Sequence, residues 1–269
     1  MAILEGQVAI VTGAGRGVGR AIAEELAAAG AAVALAARSV NEITALAATL
    51  PRAIAVRTDV TRTHDVEGLV ARAEAELGAP SLLVANAGTW HHAGPAWEGD
   101  AEAWWRDVEV TLRGGYLSAR AVVPGMIERG GGRIVFVSSY AANQPRPWSS
   151  GYAAGKAALL RFVDSLAEEV ADHGLAVFAV TPGFVRTGLT RCVAESAAGR
   201  LWLPELATRN DDLDPSLAGK LVVQLASGRA DALSGRFLHV LDDLDELIAR
   251  ADEVRADDLY ALRMRRWTA

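Results

Sequence analysis

Short runs of apolar residues alternate along the chain with longer stretches whose apolar residues recur at a helical spacing. The short runs are apolar at every position, as in strands that helices cover on both faces. They predict strands at 8–12, 33–36, 53–57, 82–85, 134–137, 176–180 and 237–240, with helices at 18–29, 66–77, 101–128 and 152–172. The compositions of 143–151 and 182–214 indicate loops.

Strands that alternate with helices predict an α/β fold: a single Rossmann-like, doubly wound parallel sheet with helices on both faces. No linker or repeat divides the chain, so we expect one domain over residues 1–241. Residues 242–269 form a tail that we expect to dock as a helix on this domain or on a neighbouring subunit. Its apolar residues follow helical spacing at Leu244, Leu247, Ile248, Ala251 and Val254.

Composition narrows the classes of partner. The 269 residues are 51% apolar with a formal net charge of −6, so no Lys/Arg stripe is available to neutralise nucleic-acid phosphates. The single Cys192 cannot form an internal disulfide, and the adjacent His91 and His92 lack the partner cluster of a metal site. The uncharged stretch 77–97 is broken by prolines, and the N-terminus does not resemble a signal peptide. We expect a cytoplasmic protein without membrane, nucleic-acid or metal partners.

A glycine-rich turn, Thr12 to Arg20, follows the first predicted strand and opens the first predicted helix. Gly13, Gly17 and Gly19 let the backbone turn tightly beside a pyrophosphate, which the free N–H groups of a helix N-terminus attract. The position of this turn in a strand–helix–strand unit predicts dinucleotide binding. We therefore interpret residues 1–241 as a dinucleotide-binding and catalytic domain.

The second predicted strand ends in Ala36 and Ala37, with no carboxylate to accept hydrogen bonds from a ribose 2′-hydroxyl. Arg16 and Arg38 instead offer guanidinium groups that suit a 2′-phosphate. NADP(H) is the predicted cofactor and NAD(H) the alternative. The competing interpretation is a pair of solvated surface arginines.

Tyr152 and Lys156 stand four residues apart, so a helix presents both on one face. Such pairs are usually surface contacts. An ammonium beside a phenol also favours phenolate, however, and this would make Tyr152 an effective acid and base.

Together these residues resemble the short-chain dehydrogenase/reductase family over about residues 6–240. The matching motifs are T-G-A-G-R-G-V-G, Asp59-Val60, Asn86-Ala87-Gly88, Ser139 thirteen residues before Tyr152, Tyr152-x-x-x-Lys156, and Pro182-Gly183-Phe184-Val185-Arg186-Thr187. The resemblance implies cofactor contacts from Gly13, Arg16, Gly17, Val18, Arg38, Ser39, Asp59, Val60, Asn86, Ala87, Gly88, Tyr152, Lys156, Pro182, Gly183, Val185 and Thr187.

The resemblance also implies catalytic roles. Tyr152 would be the acid and base, Lys156 would tune it and bind the nicotinamide ribose, and Ser139 would stabilise charge on the substrate oxygen. Thr111 is the fourth catalytic candidate, and it stands where the family usually carries an Asn that helps anchor a water between the Lys and solvent. A threonine preserves this anchor if it uses the backbone carbonyl, whereas one hydroxyl cannot replace a side-chain amide. The family's closing V-D-G-G is also changed, to V-L-D-D at 240–243.

We therefore expect an NADP(H)-preferring oxidoreductase that interconverts a hydrophobic secondary alcohol and its ketone, as a homodimer or homotetramer. The alternative is a dinucleotide-binding sensor or assembly protein that has lost turnover, and an epimerase or dehydratase is a third option that is more typical of longer relatives. Aromatic side chains either form the substrate wall or pack loops and subunit contacts. The candidates for this wall are Trp90, His91, His92, Trp97, Trp148, Phe184 and Trp202.

Overall fold

The computed structural model describes residues 2–264, and a parallel sheet forms its centre. The strands are β1 Val8–Thr12, β2 Ala32–Ala37, β3 Ala53–Arg57, β4 Leu82–Ala85, β5 Gly132–Val137, β6 Leu175–Thr181 and β7 Phe237–His239. Within the described residues they form one seven-stranded sheet in the order β3-β2-β1-β4-β5-β6-β7. The predicted α/β fold is confirmed, and every predicted strand end lies within two residues of the observed one.

Two buried layers explain why the strands are apolar at every position. In β1, Ala9 and Val11 face one layer while Val8 and Ile10 face the other. Each layer is closed by helices, so no face of a central strand needs polar residues. The first layer is covered by α1 Gly17–Ala28, α2 Val40–Ala47 and α10 Ser216–Ala226, and the second by α3 Thr63–Glu76, α5 Gly114–Glu128 and α6 Ser150–Glu169.

The predicted helix 101–128 is not continuous. Helix α4, Ala101–Val108, is separated from α5 by a π-helical turn at Glu109–Arg113. Such turns insert one residue into the helical repeat and are frequent at functional sites. The sequence prediction merged α4 and α5 because residues with helical spacing lie on both sides of the turn. The turn brings Thr111 against α6, where a Cβ on Gly155 would stand 3.3 Å from the Thr111 Cβ.

The segment 182–214, predicted as loop, contains three short helices. They are α7 Gly188–Glu195, α8 Ala197–Trp202 and α9 Glu205–Thr208. The first begins with a capping box in which the Thr187 N–H donates to Thr190 Oγ1 at 2.9 Å. These helices are too short to show a clear period in sequence. They lie over the carboxyl ends of the strands, where their residues contribute to a cavity.

The tail forms two short helices, α11 Leu244–Ala249 and α12 Ala251–Ala256, so the prediction of a single helix is wrong. The break comes at Arg250, whose φ of −112° and ψ of 24° are not helical. Leu244, Leu247 and Val254 are buried in the first core layer. The domain boundary after residue 241 stays a prediction, and residues 265–269 of the tail lie outside the described residues.

Residues 2–264 contain neither a candidate membrane span nor a candidate metal cluster. No helix there combines the length and the apolar character that a membrane span requires. No three His, Cys, Asp or Glu side chains in the same range are grouped as metal ligands would be.

We expect Leu247→Ala to lower the free energy of unfolding by about 2–3 kcal/mol, because truncation leaves a cavity in the first core layer. Leu241→Ala is the matched control, since Leu241 is 63% exposed, and should change stability by less than about 0.5 kcal/mol. Urea unfolding followed by circular dichroism measures both. Equal stability of the two variants would contradict a tail that is part of the core.

Candidate active site

A cavity of about 560 Å³ opens at the carboxyl ends of the strands. It lies at the switch point of the sheet, because β2 and β3 extend to one side of β1 whereas β4 and β5 extend to the other. In open parallel sheets ligands bind at this position. Ser139 and all the predicted cofactor residues line the cavity. These cofactor residues are Gly13, Arg16, Gly17, Val18, Arg38, Ser39, Asp59, Val60, Asn86, Ala87, Gly88, Tyr152, Lys156, Pro182, Gly183, Val185 and Thr187.

The glycine-rich turn forms one end of the cavity. Gly13 and Gly17 have φ of 66° and 58°, in the left-handed region that side chains disfavour. A Cβ at Gly17 would stand 3.0 Å from Thr187 Cγ2, so only glycine allows this close approach of the two cavity walls. Arg16 makes no side-chain cap at the start of α1. The first N–H groups of α1 are therefore available to an anion.

Thr12 joins the ends of β1 and β4, a role that sequence reasoning missed. Its hydroxyl accepts the N–H of Asn86 at 3.0 Å and the N–H of Ala87 at 3.1 Å. Asn86 Nδ2 in turn donates to the carbonyl oxygens of Thr12 at 2.9 Å and of Gly13 at 3.2 Å. These bonds fix the glycine-rich turn against the Asn-Ala-Gly turn. The sequence signal for this contact was a polar residue at the end of each of the two neighbouring strands, Thr12 at β1 and Asn86 at β4.

Groups suited to either form of the ribose meet at the rim of the cavity. The side chains of Arg16 and Arg38 are exposed there, where a 2′-phosphate can reach them. Glu42 of α2 also reaches the cavity, although sequence reasoning did not assign it. It packs on Gly15, where a Cβ would stand 2.8 Å from Glu42 Oε2. Glu42 lies on the helix that follows β2 and not at the end of the strand, so the strand-end pattern did not indicate it.

Asp59 is held in place by Thr61, whose hydroxyl donates to Asp59 Oδ1 at 2.7 Å. Burial raises the pKa of the Asp59 carboxyl, but the hydrogen bonds from Thr61 and the charge of Arg38 outweigh it, and the pKa lies below its ordinary value. Asp59 therefore remains ionised at the rim. Its neighbour Val60 packs against α5, 2.6 Å from where a Cβ on Gly114 would stand.

Ser139, Tyr152 and Lys156 come together at the other end of the cavity. Ser139 follows β5, while Tyr152 and Lys156 lie on the first turns of α6. The buried Lys156 Nζ lies 5.8 Å from the centroid of the Tyr152 ring and donates to the Val137 carbonyl oxygen at 2.7 Å. The arrangement puts a hydroxyl, a phenol and an ammonium on the wall of one cavity.

The expectation that Lys156 makes Tyr152 more acidic is not met in the protein alone. Burial raises the pKa of the Tyr152 phenol; the Ser139 hydroxyl lowers it in part, and the charge of Asp107 raises it further. Burial also lowers the pKa of Lys156 to about 8. Sequence reasoning counted the neighbouring charge but not the loss of water around both groups. Tyr152 is therefore protonated at neutral pH.

Thr111 lies behind the cavity and does not line it. Its buried Oγ1 has no hydrogen-bond partner within residues 2–264. A Cβ at Gly88 would stand 3.6 Å from Lys156 Nζ and 3.8 Å from Thr111 Oγ1, so hydroxyl and ammonium border the same small space. A buried hydroxyl with free hydrogen-bonding capacity fits a link between Lys156 and solvent.

An aromatic wall, formed by Trp90, Trp148, Phe184 and Trp202, lines the space in front of Tyr152. Trp90 stacks on the Tyr152 ring, with centroids 4.9 Å apart and planes inclined by 17°. Trp148 and Trp202 contact each other with centroids 4.7 Å apart. Trp148 has a φ of 65°, a strained backbone of the kind found at ligand sites.

Three of the residues predicted for the wall lie elsewhere. Trp97 is 78% exposed and outside the cavity. The backbone N–H groups of His91 and His92 bind the buried carboxylate of Asp107, away from the substrate space. Sequence proximity to the fourth strand suggested all three, but the chain turns after Trp90 toward α4.

The two ends of the cavity together fit a nicotinamide dinucleotide. The glycine-rich turn offers free N–H groups and arginines for phosphates, while the far end offers Ser139, Tyr152 and Lys156 beside apolar rings. The two ends meet on one continuous surface along β1 and β4.

Comparisons with known proteins agree with this interpretation. The family model for short chain dehydrogenase matches residues 7–198. The short chain dehydrogenase pigC of Monascus ruber is 33% identical over 269 residues, covering 95% of this chain and 85% of pigC. The 3-oxoacyl-[acyl-carrier-protein] reductase FabG of Escherichia coli (strain K12) is 35% identical over 238 residues, covering 88% of this chain and 96% of FabG.

A solved structure with a bound dinucleotide is also similar. The 3-ketoacyl-(acyl-carrier-protein) reductase from Brucella melitensis, complexed with NADH, has a TM-score of 0.79 at 30% identity. The similarity covers 88% of this chain and 97% of that chain.

We expect Thr111→Asn to leave cofactor affinity unchanged, because Thr111 does not line the cavity. Turnover should change by no more than about tenfold, equivalent to 1.4 kcal/mol, if the anchor depends on the backbone of the π turn. Cofactor titration and steady-state kinetics measure the two effects. An inert protein that the substitution makes active would contradict this expectation.

Proposed function

Given that the chain belongs to the short-chain dehydrogenase/reductase family of NAD(P)-dependent oxidoreductases, we propose that it interconverts a hydrophobic secondary alcohol and its ketone and prefers NADP(H). The observation that carries this proposal is the meeting of Ser139, Tyr152 and Lys156 in one cavity with the glycine-rich turn. Hydride transfer needs a proton source at the substrate oxygen and a dinucleotide beside it. In this cavity Tyr152 can supply the proton and the glycine-rich turn can bind the dinucleotide.

Ser139, Tyr152 and Lys156 have different roles at the substrate oxygen. A bound nicotinamide supplies the carbon that gives or takes the hydride. Tyr152 holds the proton for the carbonyl oxygen, because burial raises the pKa of its phenol and keeps it protonated. Ser139 donates a hydrogen bond to the same oxygen as negative charge develops. Lys156 restores the proton of Tyr152 and orients the ribose.

The raised pKa of Tyr152 means that the form needed for reduction is present at neutral pH. Reduction needs the phenol, which is the form present at neutral pH, whereas oxidation needs the phenolate. Oxidation would then be fast only at higher pH. The acid role thus requires no change in the protonation of the free protein.

The aromatic wall supports an apolar substrate. Three indole rings and one phenyl ring line the space before Tyr152, and the lid helices α7, α8 and α9 cover it. Flat or ring-containing ketones bury the most apolar surface against such rings. FabG, in contrast, is named for substrates carried on a protein. An aromatic or polycyclic ketone is the substrate class that we propose.

We also propose a cytoplasmic homodimer or homotetramer, as is common in the family. Large apolar side chains remain exposed along α4 and α5, with Trp105 60% and Tyr116 45% accessible. Burial of such residues between subunits is favourable.

Purified protein should oxidise NADPH when hydrophobic ketones are added, followed as the loss of reduced-nicotinamide absorbance. Tyr152→Phe should lower kcat by about 10²- to 10⁴-fold, because the ring still stacks on Trp90 but the proton donor is gone. NADPH should still bind, because the ring and the other cofactor residues are kept. Binding of NADPH without turnover across a broad ketone panel would favour the sensor or assembly protein instead.

We expect Arg38→Ala to weaken NADPH binding by about tenfold or more while leaving NADH binding unchanged, because a charged hydrogen bond to the 2′-phosphate is lost. Glu42→Gln should shift preference further toward NADPH by removing a carboxylate from the rim. Fluorescence titration with each cofactor gives the dissociation constants. Arg20→Ala is the control, since Arg20 pairs with Glu24 on α1. Equal losses for both cofactors in Arg38→Ala would contradict NADP(H) preference at this site.

A further inference from the structure

Asp107 is the most deeply buried carboxylate beside the catalytic residues. It lies in the last turn of α4 and is 0% exposed. Removing a carboxylate from water is costly unless hydrogen bonds replace the lost solvation. Asp107 obtains them from a short segment after β4 and not from a buried lysine or arginine. This cost raises the question of what the carboxylate holds in place.

The hydrogen bonds of Asp107 fix the backbone that carries Trp90. The His91 N–H donates to both carboxylate oxygens, at 2.8 and 2.9 Å, and the His92 N–H donates to Oδ2 at 3.0 Å. The His91 ring adds a contact from Nδ1 to Oδ1 at 3.1 Å. Because the His91 N–H belongs to the peptide that Trp90 begins, its anchoring fixes the direction in which the Trp90 side chain leaves the backbone.

Among the described residues, the Trp90 indole has no hydrogen bond of its own to orient it. Its Nε1 is buried and has no hydrogen-bond partner in the part of the chain that the structure describes. The indole is therefore oriented by its backbone and by apolar contacts, which include its stacking on Tyr152 at 4.9 Å between centroids. The same indole lines the cavity and packs with the aromatic wall.

Asp107 also touches the helix that carries Tyr152 and Lys156. Its backbone oxygen lies 3.2 Å from where a Cβ on Gly155 would stand, so α4 and α6 approach closely at this point. Asp107 therefore contacts both the backbone segment that follows Trp90 and the helix that carries Tyr152.

We propose that Asp107 is a positioning residue, which holds the Trp90 indole against the Tyr152 ring through the backbone N–H groups of His91 and His92 and so shapes the substrate space at the reacting phenol. This inference rests on the proposed oxidoreductase function for its kinetic consequences. Its structural part, the dependence of Trp90 on Asp107, does not.

The position of Trp90 is measured without turnover. In protein labelled with 5-fluorotryptophan, the Trp90 ¹⁹F resonance is assigned by its loss in Trp90→Phe. Asp107→Asn should move this resonance, because an amide has one acceptor oxygen and its NH₂ group faces backbone donors. Glu102→Gln removes an exposed carboxylate from the same helix and should move none. An unmoved Trp90 resonance in folded Asp107→Asn overturns the proposal, whether or not any ketone is reduced.

The kinetic consequence separates positioning from general destabilisation. With an accepted ketone, Asp107→Asn should lower kcat/KM by about ten- to a hundredfold and leave NADPH affinity unchanged. If Asp107 acts through Trp90, adding Asp107→Asn to Trp90→Leu should cost little more than Trp90→Leu alone. Fully additive losses would overturn the proposal. A wild-type protein that reduces no ketone would refute the proposed function and leave the ¹⁹F result standing.

The pH profile gives a second readout that a structural role would not move. The charge of Asp107 raises the pKa of Tyr152, so its removal should shift the midpoint of kcat/KM to lower pH. The other charged groups near the phenol, Lys156 and Arg146, remain in every variant. A shifted midpoint with an unmoved Trp90 resonance would mean that Asp107 acts through its charge alone and would overturn the proposal. If Asp107→Asn does not fold, Asp107→Glu keeps the charge but displaces the carboxylate, and an unmoved Trp90 resonance together with unchanged kcat/KM would then overturn it.

Discussion

The gap between the carboxyl ends of β1 and β4 is the constraint on which the site depends. The sheet extends from these two strands in opposite directions, so the connections that follow them leave a crevice that no helix fills. Thr12 and Asn86 hold its two edges together by four hydrogen bonds of 2.9 to 3.2 Å. The glycine-rich turn, the exposed arginines at the rim of the cavity and the cluster of Ser139, Tyr152 and Lys156 all lie along this crevice. A different strand order would remove this crevice and separate these groups.

Burial of charged and polar groups gives the site its chemistry. Lys156 and Asp107 are almost completely removed from water, and each is compensated by backbone groups: a carbonyl for the ammonium, N–H groups for the carboxylate. Backbone partners cannot rotate away, so the orientations are fixed before a substrate arrives. The same loss of water raises the pKa of the Tyr152 phenol and keeps its proton available. Burial therefore both fixes these side chains in place and sets the protonation state of Tyr152.

The aromatic wall belongs to a hydrophobic cluster of its own. The lid helices bury their own small cluster of Val193, Leu203 and Leu206, to which the aromatic wall adds its rings. The two large layers on either side of the sheet belong to other clusters. Substitutions in the wall can consequently change which substrate fits without removing contacts that stabilise the sheet. The tail, in contrast, adds Leu244, Leu247 and Val254 to the first layer and contributes to that stability.

Local patterns in the sequence were enough to predict the fold class, the strands and the cofactor residues that line the cavity, because apolar runs and short motifs do not depend on contacts distant along the chain. These patterns did not determine the π turn around Thr111, the break in the tail or the lid helices, since these depend on packing partners. Glu42 and Asp107 were missed because they reach the site from helices with no motif of their own. The direction of the Tyr152 pKa was also decided by tertiary structure alone: the spacing to Lys156 shows a neighbouring charge, but only the folded chain shows how much water both groups lose.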